Sequence, residues 1–337
     1  MSASGFENRL VLVLRSNSDR YLDESALRLE FNLAPETDNA TEAAGDIPRA
    51  IELLRLQGWS IDGDEVHGWR LVGFPDHLTF AEVENALNTS FLGRCLFVYR
   101  MIGSTNQTAK MLAESGAQDG TLLLAEEQSC GRGRYTNTWY SPAGGGLWAS
   151  LILRPGIAPE RLGGLGMLCA LSICLAVEER TGLKPLIKWP NDIMLDGRKA
   201  AGILCEGGII GQRLRYAVLG FGLNVNLDSF PPPLDRTATS LSLAAGGRRF
   251  DRLQILGSIL DNLEQGYFNF LTDGFSSFLP RIQRRDFLRD RELMVEIPDR
   301  GIVQGIARGT DESGALILEC PAPVGLLRIE QGHIIKL

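Results

Sequence analysis

The chain has 337 residues, 44% hydrophobic and 22% charged, with a formal net charge of −7. That length predicts two or three domains with ordinary apolar cores, and the acidic balance argues against a generic nucleic-acid binder. Six cysteines without a CxxC pair, and three distant histidines (His67, His77, His333), disfavour a metal site, a disulfide framework or a Ser-His-Asp triad, and suit reduced thiols in a cytoplasm.

Three segments are read along the chain. In the first, residues 1–75, Leu10–Leu14 reads as a short helix and Asp23–Leu33 as a second one with Asp23 as its cap. Ile47–Gly58 reads as a third, with Pro48 in its first turn. Trp59–Val72 reads as a β-hairpin turning at Asp62-Gly63-Asp64. Three helices and a hairpin are the parts of a winged helix-turn-helix.

The second segment, residues 78–287, has strand-like runs at Thr121–Glu126, Leu147–Leu153 and Ala217–Gly222. Long apolar helices are expected at Leu162–Thr181, ended by Gly182, and at Leu253–Asn269. Pro231-Pro232-Pro233 marks a surface loop. The pattern is α+β around a mostly antiparallel or mixed sheet. The third segment, residues 288–337, holds five strand-like runs: Leu293–Ile297, Gly301–Arg308, Ala315–Glu319, Leu326–Glu330 and Gly332–Leu337. They predict a small β-barrel of the SH3 type. No apolar run reaches the roughly 18–20 residues of a membrane span, and Met1–Glu7 lacks the features of a signal peptide.

Lysine is scarce: five residues (110, 184, 188, 199 and 336) against 29 arginines. Two of the five lie in Lys188-Trp189-Pro190-Asn191-Asp192 and Lys199–Glu206. A lysine fixed at 188 can hold a phosphate and an attacking carboxylate together as charge shifts; as an alternative it is a surface lysine beside a packed tryptophan. Asn191 and Asp192 can bind a metal or cap a turn, and Lys199 is a second phosphate contact or part of a solvated turn after Asp196-Gly197-Arg198.

Upstream, Gly131-Arg132-Gly133-Arg134 pairs close-approach glycines with arginines that clamp carboxylate or phosphate, unless it is a solvated basic turn. Gly144-Gly145-Gly146 is a second close approach or a loose hairpin. In Gly220–Asn226 two Gly and two Asn alternate, so on a strand Asn224 and Asn226 share a face and reach a nucleotide or its magnesium; the alternative is an Asn-rich bend. Ser104-Thr105-Asn106-Gln107 suits a polar head group, a helix N-cap, or both. No P-loop and no GxGxxG in a βαβ unit is present.

Ser104–Gln107, Gln128–Arg134 with Trp139, Lys188–Asp192, Lys199–Glu206 and Gly220–Asn226 together, in this order, resemble the biotin–protein ligase family. The two ends are similar to the winged helix-turn-helix and SH3-like domains of its bifunctional ligase/repressors. The resemblance implies a central mixed-sheet, class II synthetase-like catalytic domain at 78–287, between a 1–75 and a 288–337 domain. It implies that biotin's carboxylate attacks the α-phosphate of ATP, with Mg2+, and that a lysine of the biotin carboxyl carrier protein of acetyl-CoA carboxylase then accepts the acyl group.

Carried over by motif, Ser104, Thr105, Asn106, Gln128, Arg132, Gly133, Arg134, Lys188 and Gly202 hold biotin. Arg134, Trp139, Lys188, Asn191, Lys199 and Asn224 hold the nucleotide, and Lys188 and Arg134 are catalytic. Closure of the arginine loop over the adenylate would keep water from the anhydride. A homodimer contact is expected at Leu147–Leu153 and the sheet edge near it. Two features depart from the family. Bacterial ligase/repressors usually carry Gly-Arg where Thr136-Asn137 stand here, an Asn being similar to eukaryotic members. Residues 1–75 carry 13 acidic residues against 7 basic ones, all Arg, where DNA binding needs cations. A lipoate–protein ligase, a biotin-sensing repressor and a non-catalytic paralogue are the competing readings.

Overall fold

The computed structural model describes residues 3–31, 46–56, 59–73, 78–135, 137–211, 213–298 and 300–336. They fold as two units, 1–78 and 79–337.

The first unit has three helices, α1 (Ala3–Ser16), α2 (Glu24–Glu30) and α3 (Ile47–Leu56), then strands β1 (Ser60–Asp64) and β2 (Gly68–Gly73). Helix α1 extends well beyond the expected Leu10–Leu14. The Asp23 carboxylate accepts from Ala26 N at 2.7 Å, capping α2 as expected. Leu33 and Gly58, the expected ends of α2 and α3, lie outside the described residues. Leu10, Leu14, Leu27, Ile47, Ile51, Leu54 and Trp69 form the core. The hairpin turns later than expected. Gly63 is still in the ladder opposite Trp69, and the Asp64 carboxylate accepts from Val66 N (2.9 Å) and His67 N (2.8 Å) to pin the turn at 65–67.

The second unit opens with α4 (Phe80–Ala86), β3 (Leu96–Ile102), α5 (Thr105–Glu114), β4 (Thr121–Gln128), β5 (Gly146–Leu153) and α6 (Leu162–Thr181). Strands β6 (Leu186–Lys188), β7 (Asp192–Leu195), β8 (Arg198–Ile210) and β9 (Arg213–Asn224) follow. They form one mixed sheet in the order β3-β4-β5-β9-β8-β7-β6, parallel only between β3 and β4. The class is α+β with a central mixed sheet. Alternation along β9 puts Tyr216 and Val218 on the face that packs against Ala109 and Ala113 of α5. Gly220 and Gly222 continue that face.

Helix α6 is apolar on all sides and buried, as such a helix must be. With its leading turn, Pro159–Thr181 is long and apolar enough to cross a membrane, against the expectation that no apolar run reaches that length; its most apolar 18-residue window has mean hydropathy 1.6, and 72% of that window is buried inside the protein. Gly182 ends α6 with φ +76°. Strand β5 lies between β4 and β9 with every residue buried, so of the expected dimer contact the sheet edge near it is the part left open to a second copy. A strand paired on both sides offers no edge for a second copy.

Three helices, α7 (Leu241–Ala244), α8 (Arg252–Asp273) and α9 (Leu279–Gln283), precede the last strands. Asp251 caps α8, accepting from Leu253 N and Gln254 N. Buried Arg252 donates to Glu126 Oε1 (2.8 Å) and Gly146 O (3.0 Å), while Glu126 accepts from Gly144 N (2.7 Å). The pair thus ties both ends of the β4–β5 connection to α8. The final strands are β10 (Glu292–Ile297), β11 (Gly301–Thr310), β12 (Leu316–Cys320), β13 (Gly325–Ile329) and β14 (His333–Lys336), a five-stranded antiparallel sheet in the order β13-β12-β11-β10-β14. All five match expected runs to within a few residues.

Candidate active site

One pocket lies on the α5 face of the large sheet. Its floor is made where β8 and β9 pair Gly202 with Gly222, and where Gly220 follows. A β-carbon on Gly220 would stand 1.9 Å from Asn106 Oδ1, and one on Gly222 would stand 2.3 Å from Trp139 Nε1. Glycine at both places lets the ligand-facing side chains lie directly on the sheet.

The polar wall begins at Ser104, the N-cap of α5. Thr105 and Asn106, both at least 95% buried, follow in the first turn. Gln128 Oε1 accepts from Thr105 N (2.8 Å) and Thr105 Oγ1 (3.1 Å), and its amide nitrogen donates to Ser141 Oγ (2.8 Å). Ser150 Oγ lies 2.8 Å from both Thr105 Oγ1 and Asn106 Oδ1. Asn106 Nδ2 donates to Glu206 Oε2 at 2.9 Å, and Lys110 Nζ reaches Glu206 Oε1 at 3.0 Å. The wall is a fixed array of neutral donors and acceptors.

The glycine–arginine run forms a small hairpin over this wall. Gly133 N donates to Asn137 O (2.8 Å), Trp139 N donates to Gly131 O (2.8 Å), and Arg132 bridges Thr138. Tyr135 at its tip has φ +59°, a costly conformation for a residue with a side chain. The Arg134 guanidinium lies 5.1 Å from the Tyr135 ring centre. Thr136 lies outside the described residues; Asn137 serves the hairpin through its backbone. The Trp139 indole lies over Gly202 and Gly222, with Lys199 Nζ 5.2 Å from its ring centre.

The cationic end comes from the β6–β7 hairpin. Lys188 and Asp192 are directly paired across it, and Lys199 Nζ lies 2.6 Å from Asp192 Oδ1. Burial lowers the pKa of Lys188 from lysine's ordinary value; Asp192 pulls it back and Lys199 lowers it further. Asn191 Nδ2 donates to Ile203 O (2.8 Å), and Trp189 Nε1 donates to Gly314 O (3.0 Å), so the hairpin is pinned to β8 on one side and to the small sheet on the other.

Ser104, Thr105, Asn106, Gln128, Arg132, Gly133, Arg134, Trp139, Lys188, Asn191, Lys199 and Gly202, the residues carried over by motif, all line this pocket. Asn224 does not. It is 2% exposed, and its amide nitrogen is committed to Thr239 O at 2.9 Å. Asn226 is likewise bonded to both backbone groups of Phe250. The Gly-Asn alternation was read for its asparagines, whereas its glycines form the floor. Ser150, and Gly332, His333 and Ile334 at β14, also line the pocket and carried no sequence signal, since only the fold brings them there.

Among the described residues the pocket holds four Lys or Arg and one carboxylate, Asp192. It suits a ligand with a neutral hydrogen-bonding part and anionic groups. No three His, Cys, Asp or Glu among the described residues cluster as a metal site.

Residues 98–224 match the model of the biotin/lipoate A/B protein ligase family. The chain is 37% identical over 278 residues to the bifunctional ligase/repressor BirA of Bacillus subtilis (strain 168), spanning 80% of this chain and 83% of that protein. It is 33% identical over 246 residues to the biotin–[acetyl-CoA-carboxylase] ligase of Mycobacterium tuberculosis (strain ATCC 25618 / H37Rv), spanning 70% of this chain and 89% of that one. The Aquifex aeolicus biotin protein ligase, solved in complex with biotin and ATP, is similar in fold with a TM-score of 0.61 at 28% identity, covering 72% of this chain and 97% of that one.

Proposed function

The chain belongs to the biotin/lipoate A/B protein ligase family, and on that premise we propose how its pocket divides the work of a biotin–protein ligase. The protein is such a ligase, binding biotin and ATP. The observation that carries the division is that the neutral Thr105–Asn106–Gln128 wall and the Lys188, Lys199, Arg132 and Arg134 cations line one pocket.

Biotin's ureido ring sits against the wall, one of its N–H groups meeting Asn106 Oδ1. Its tail runs over Gly220 and Gly222 and brings the carboxylate to Lys188. A carboxylate oxygen attacks the α-phosphorus of ATP, the bond to the bridging oxygen breaks, and pyrophosphate leaves with the electron pair. Lys188 holds the carboxylate and the α-phosphate as negative charge builds between them. Arg134 and Lys199 bind phosphate, and Trp139 is the apolar platform for the base. The Arg132–Arg134 hairpin covers the anhydride and limits its hydrolysis. A carrier lysine then attacks the acyl carbon, loses its proton, and AMP leaves.

Mg2+ neutralises phosphate charge when it accompanies ATP. Asp192, the one carboxylate among the described pocket residues, suits an ion held chiefly by the nucleotide's own oxygens. The Asn224 amide nitrogen is committed to Thr239 O while its Oδ1 has no hydrogen-bond partner, so that oxygen is the atom through which Asn224 would act on the nucleotide. The acceptor is the biotin carboxyl carrier protein of acetyl-CoA carboxylase, the acetyl-CoA-carboxylase ligases being among the relatives. The six thiols are free, which suits a reducing cytoplasm. A lipoyl substrate fits less well, because its dithiolane offers Asn106 no N–H.

The first unit is a winged helix-turn-helix, and the five-stranded sheet an SH3-like barrel. The winged domain has lost operator binding. Of the two arginines on α3, Arg55 is spent on Ile61 O and Gly63 O and on Glu52, which leaves Arg49 for phosphate. A gel shift of the full chain with operator DNA at rising salt tests this: a specific, salt-dependent complex would overturn it.

The ligase assignment is tested with labelled biotin, ATP, Mg2+ and carrier protein. Label on the carrier lysine is expected; none, from folded enzyme that binds biotin, would overturn the division of labour.

A further inference from the structure

Behind the Asn106 wall lies a charge pair that none of the steps above uses. Lys110 follows Asn106 by four residues in α5, so both side chains leave the same helix face. Both reach Glu206 on β8, Asn106 Nδ2 at 2.9 Å and Lys110 Nζ at 3.0 Å. Burial raises the pKa of Glu206. The bonds from Lys110 and Asn106, with the charges of Lys110 and Arg132, outweigh burial and hold it below the ordinary carboxylate range.

An ionised carboxylate only accepts hydrogen bonds. The Asn106 amide must therefore turn its NH2 to Glu206, which sends Oδ1 the other way, toward Ser150 Oγ at 2.8 Å and the α-carbon of Gly220. A flipped amide would set its oxygen against the carboxylate and its NH2 into the pocket. An uncharged partner at 206 would weaken that preference, since a carboxamide can donate as well as accept, and would leave only the longer bond from Asn106 Nδ2 to Leu204 O at 3.4 Å.

We infer that Glu206, held by Lys110, is a positioning residue that fixes Asn106 as an acceptor and so selects a head group offering an N–H donor. The inference rests on the assignment of Asn106 to biotin's ureido ring. If the pair served only to tie α5 to β8, its removal would lower stability without changing what the pocket prefers.

Calorimetric titration of the full chain with biotin, and with biotin methylated at both ureido nitrogens, separates the two. Wild type is expected to bind biotin and to discriminate against the methylated analogue. Glu206→Gln is expected to weaken biotin about tenfold and to shrink the discrimination by a similar factor. In an Asn106→Ala background the same substitution is expected to change biotin affinity no further. Lys110→Met, at a partly exposed position, provides a second variant should Glu206→Gln fail to fold; a severalfold loss in the same direction is expected. Wild-type affinity in both single variants, or an undiminished effect of Glu206→Gln without Asn106, would overturn the inference. Wild type that fails to bind biotin would overturn it together with the ureido assignment.

Discussion

The Trp139 indole rests on the α-carbon of Gly222, so close that a β-carbon there would stand 2.3 Å from Nε1. Gly222→Ala therefore displaces the platform while leaving the strand pairing with Trp148 intact. The expected result is a rise of tenfold or more in the KM for ATP, because sub-ångström misplacement in a site costs on the order of tenfold to a hundredfold. Thermal unfolding should shift by only a few degrees. Steady-state kinetics beside a melting curve check both; an unchanged KM would show that Trp139 is no platform.

Lys188→Ala should slow adenylate formation by about 10²–10³-fold, the usual cost of removing one preorganised group that faces transition-state charge. Lys188→Arg should not restore it, since a planar guanidinium cannot replace a compact ammonium in a half-buried place. Because burial lowers the Lys188 pKa, the alkaline limb of the rate should fall below the ordinary lysine value of about 10.4. Biotin-dependent exchange between pyrophosphate and ATP, followed against pH, reads all three.

Glu264 accepts from Ser90 N (2.7 Å), Ser90 Oγ (2.8 Å), Phe91 N (2.8 Å) and Leu92 N (2.8 Å). Burial pushes its pKa up, but these bonds outweigh burial and hold it below the usual value. A lowered native pKa means stability that is present above about pH 4.3 and lost as pH falls through the native value. Glu264→Gln should thus melt well below wild type at pH 7, and the gap should close in acid. A gap independent of pH would show that the carboxylate's charge is irrelevant.

Arg252 and Glu126 form an ion pair with side chains 3% and 7% exposed. Breaking a buried pair costs about 3 kcal/mol or more. Arg252→Met should lower Tm by roughly 6–12 °C, at about 2–4 °C per kcal/mol for a unit of this size. It should also raise the KM for biotin, since Gly144 and Gly146 end the connection that carries the arginine hairpin. Calorimetry and kinetics on one preparation test the two effects together.

What was legible in the sequence was chemistry held in short runs. Lys188, Lys199, Arg132, Arg134, Trp139 and Ser104–Asn106 stand in short runs whose residue types suit a polar or anionic ligand, with their roles implied by the ordered resemblance of those runs to a family, and the fold brings them to one pocket. The five short strands of the last segment were legible because Gly and Asp turns separate them. What stayed hidden depends on pairing at long range. Strand β8 runs on through Gly207-Gly208 to Ile210 because β9 lies beside it, although glycines weaken a strand signal. Ser150 reads as one polar residue in an apolar strand until Thr105 and Asn106 are set against it. The depth of Asn224 was not legible, because alternation gives the face of a side chain and says nothing of how far it is buried; its amide nitrogen is bonded to Thr239 O.

The scarcity of lysine has a consequence for an enzyme that makes a mixed anhydride. Such an acyl donor, if it escapes, reacts with the first unprotonated amine it meets. Lys110 and Lys199 are each ion-paired to a carboxylate, and Lys188 is half-buried in the pocket. Lys184 and Lys336 are the two lysines that stand exposed. Arginine, which carries the rest of the positive charge, stays protonated and is a poor nucleophile. An escaped acyl donor thus meets two exposed lysine amines on the enzyme's surface, while most of the positive charge is carried by a group that is not acylated.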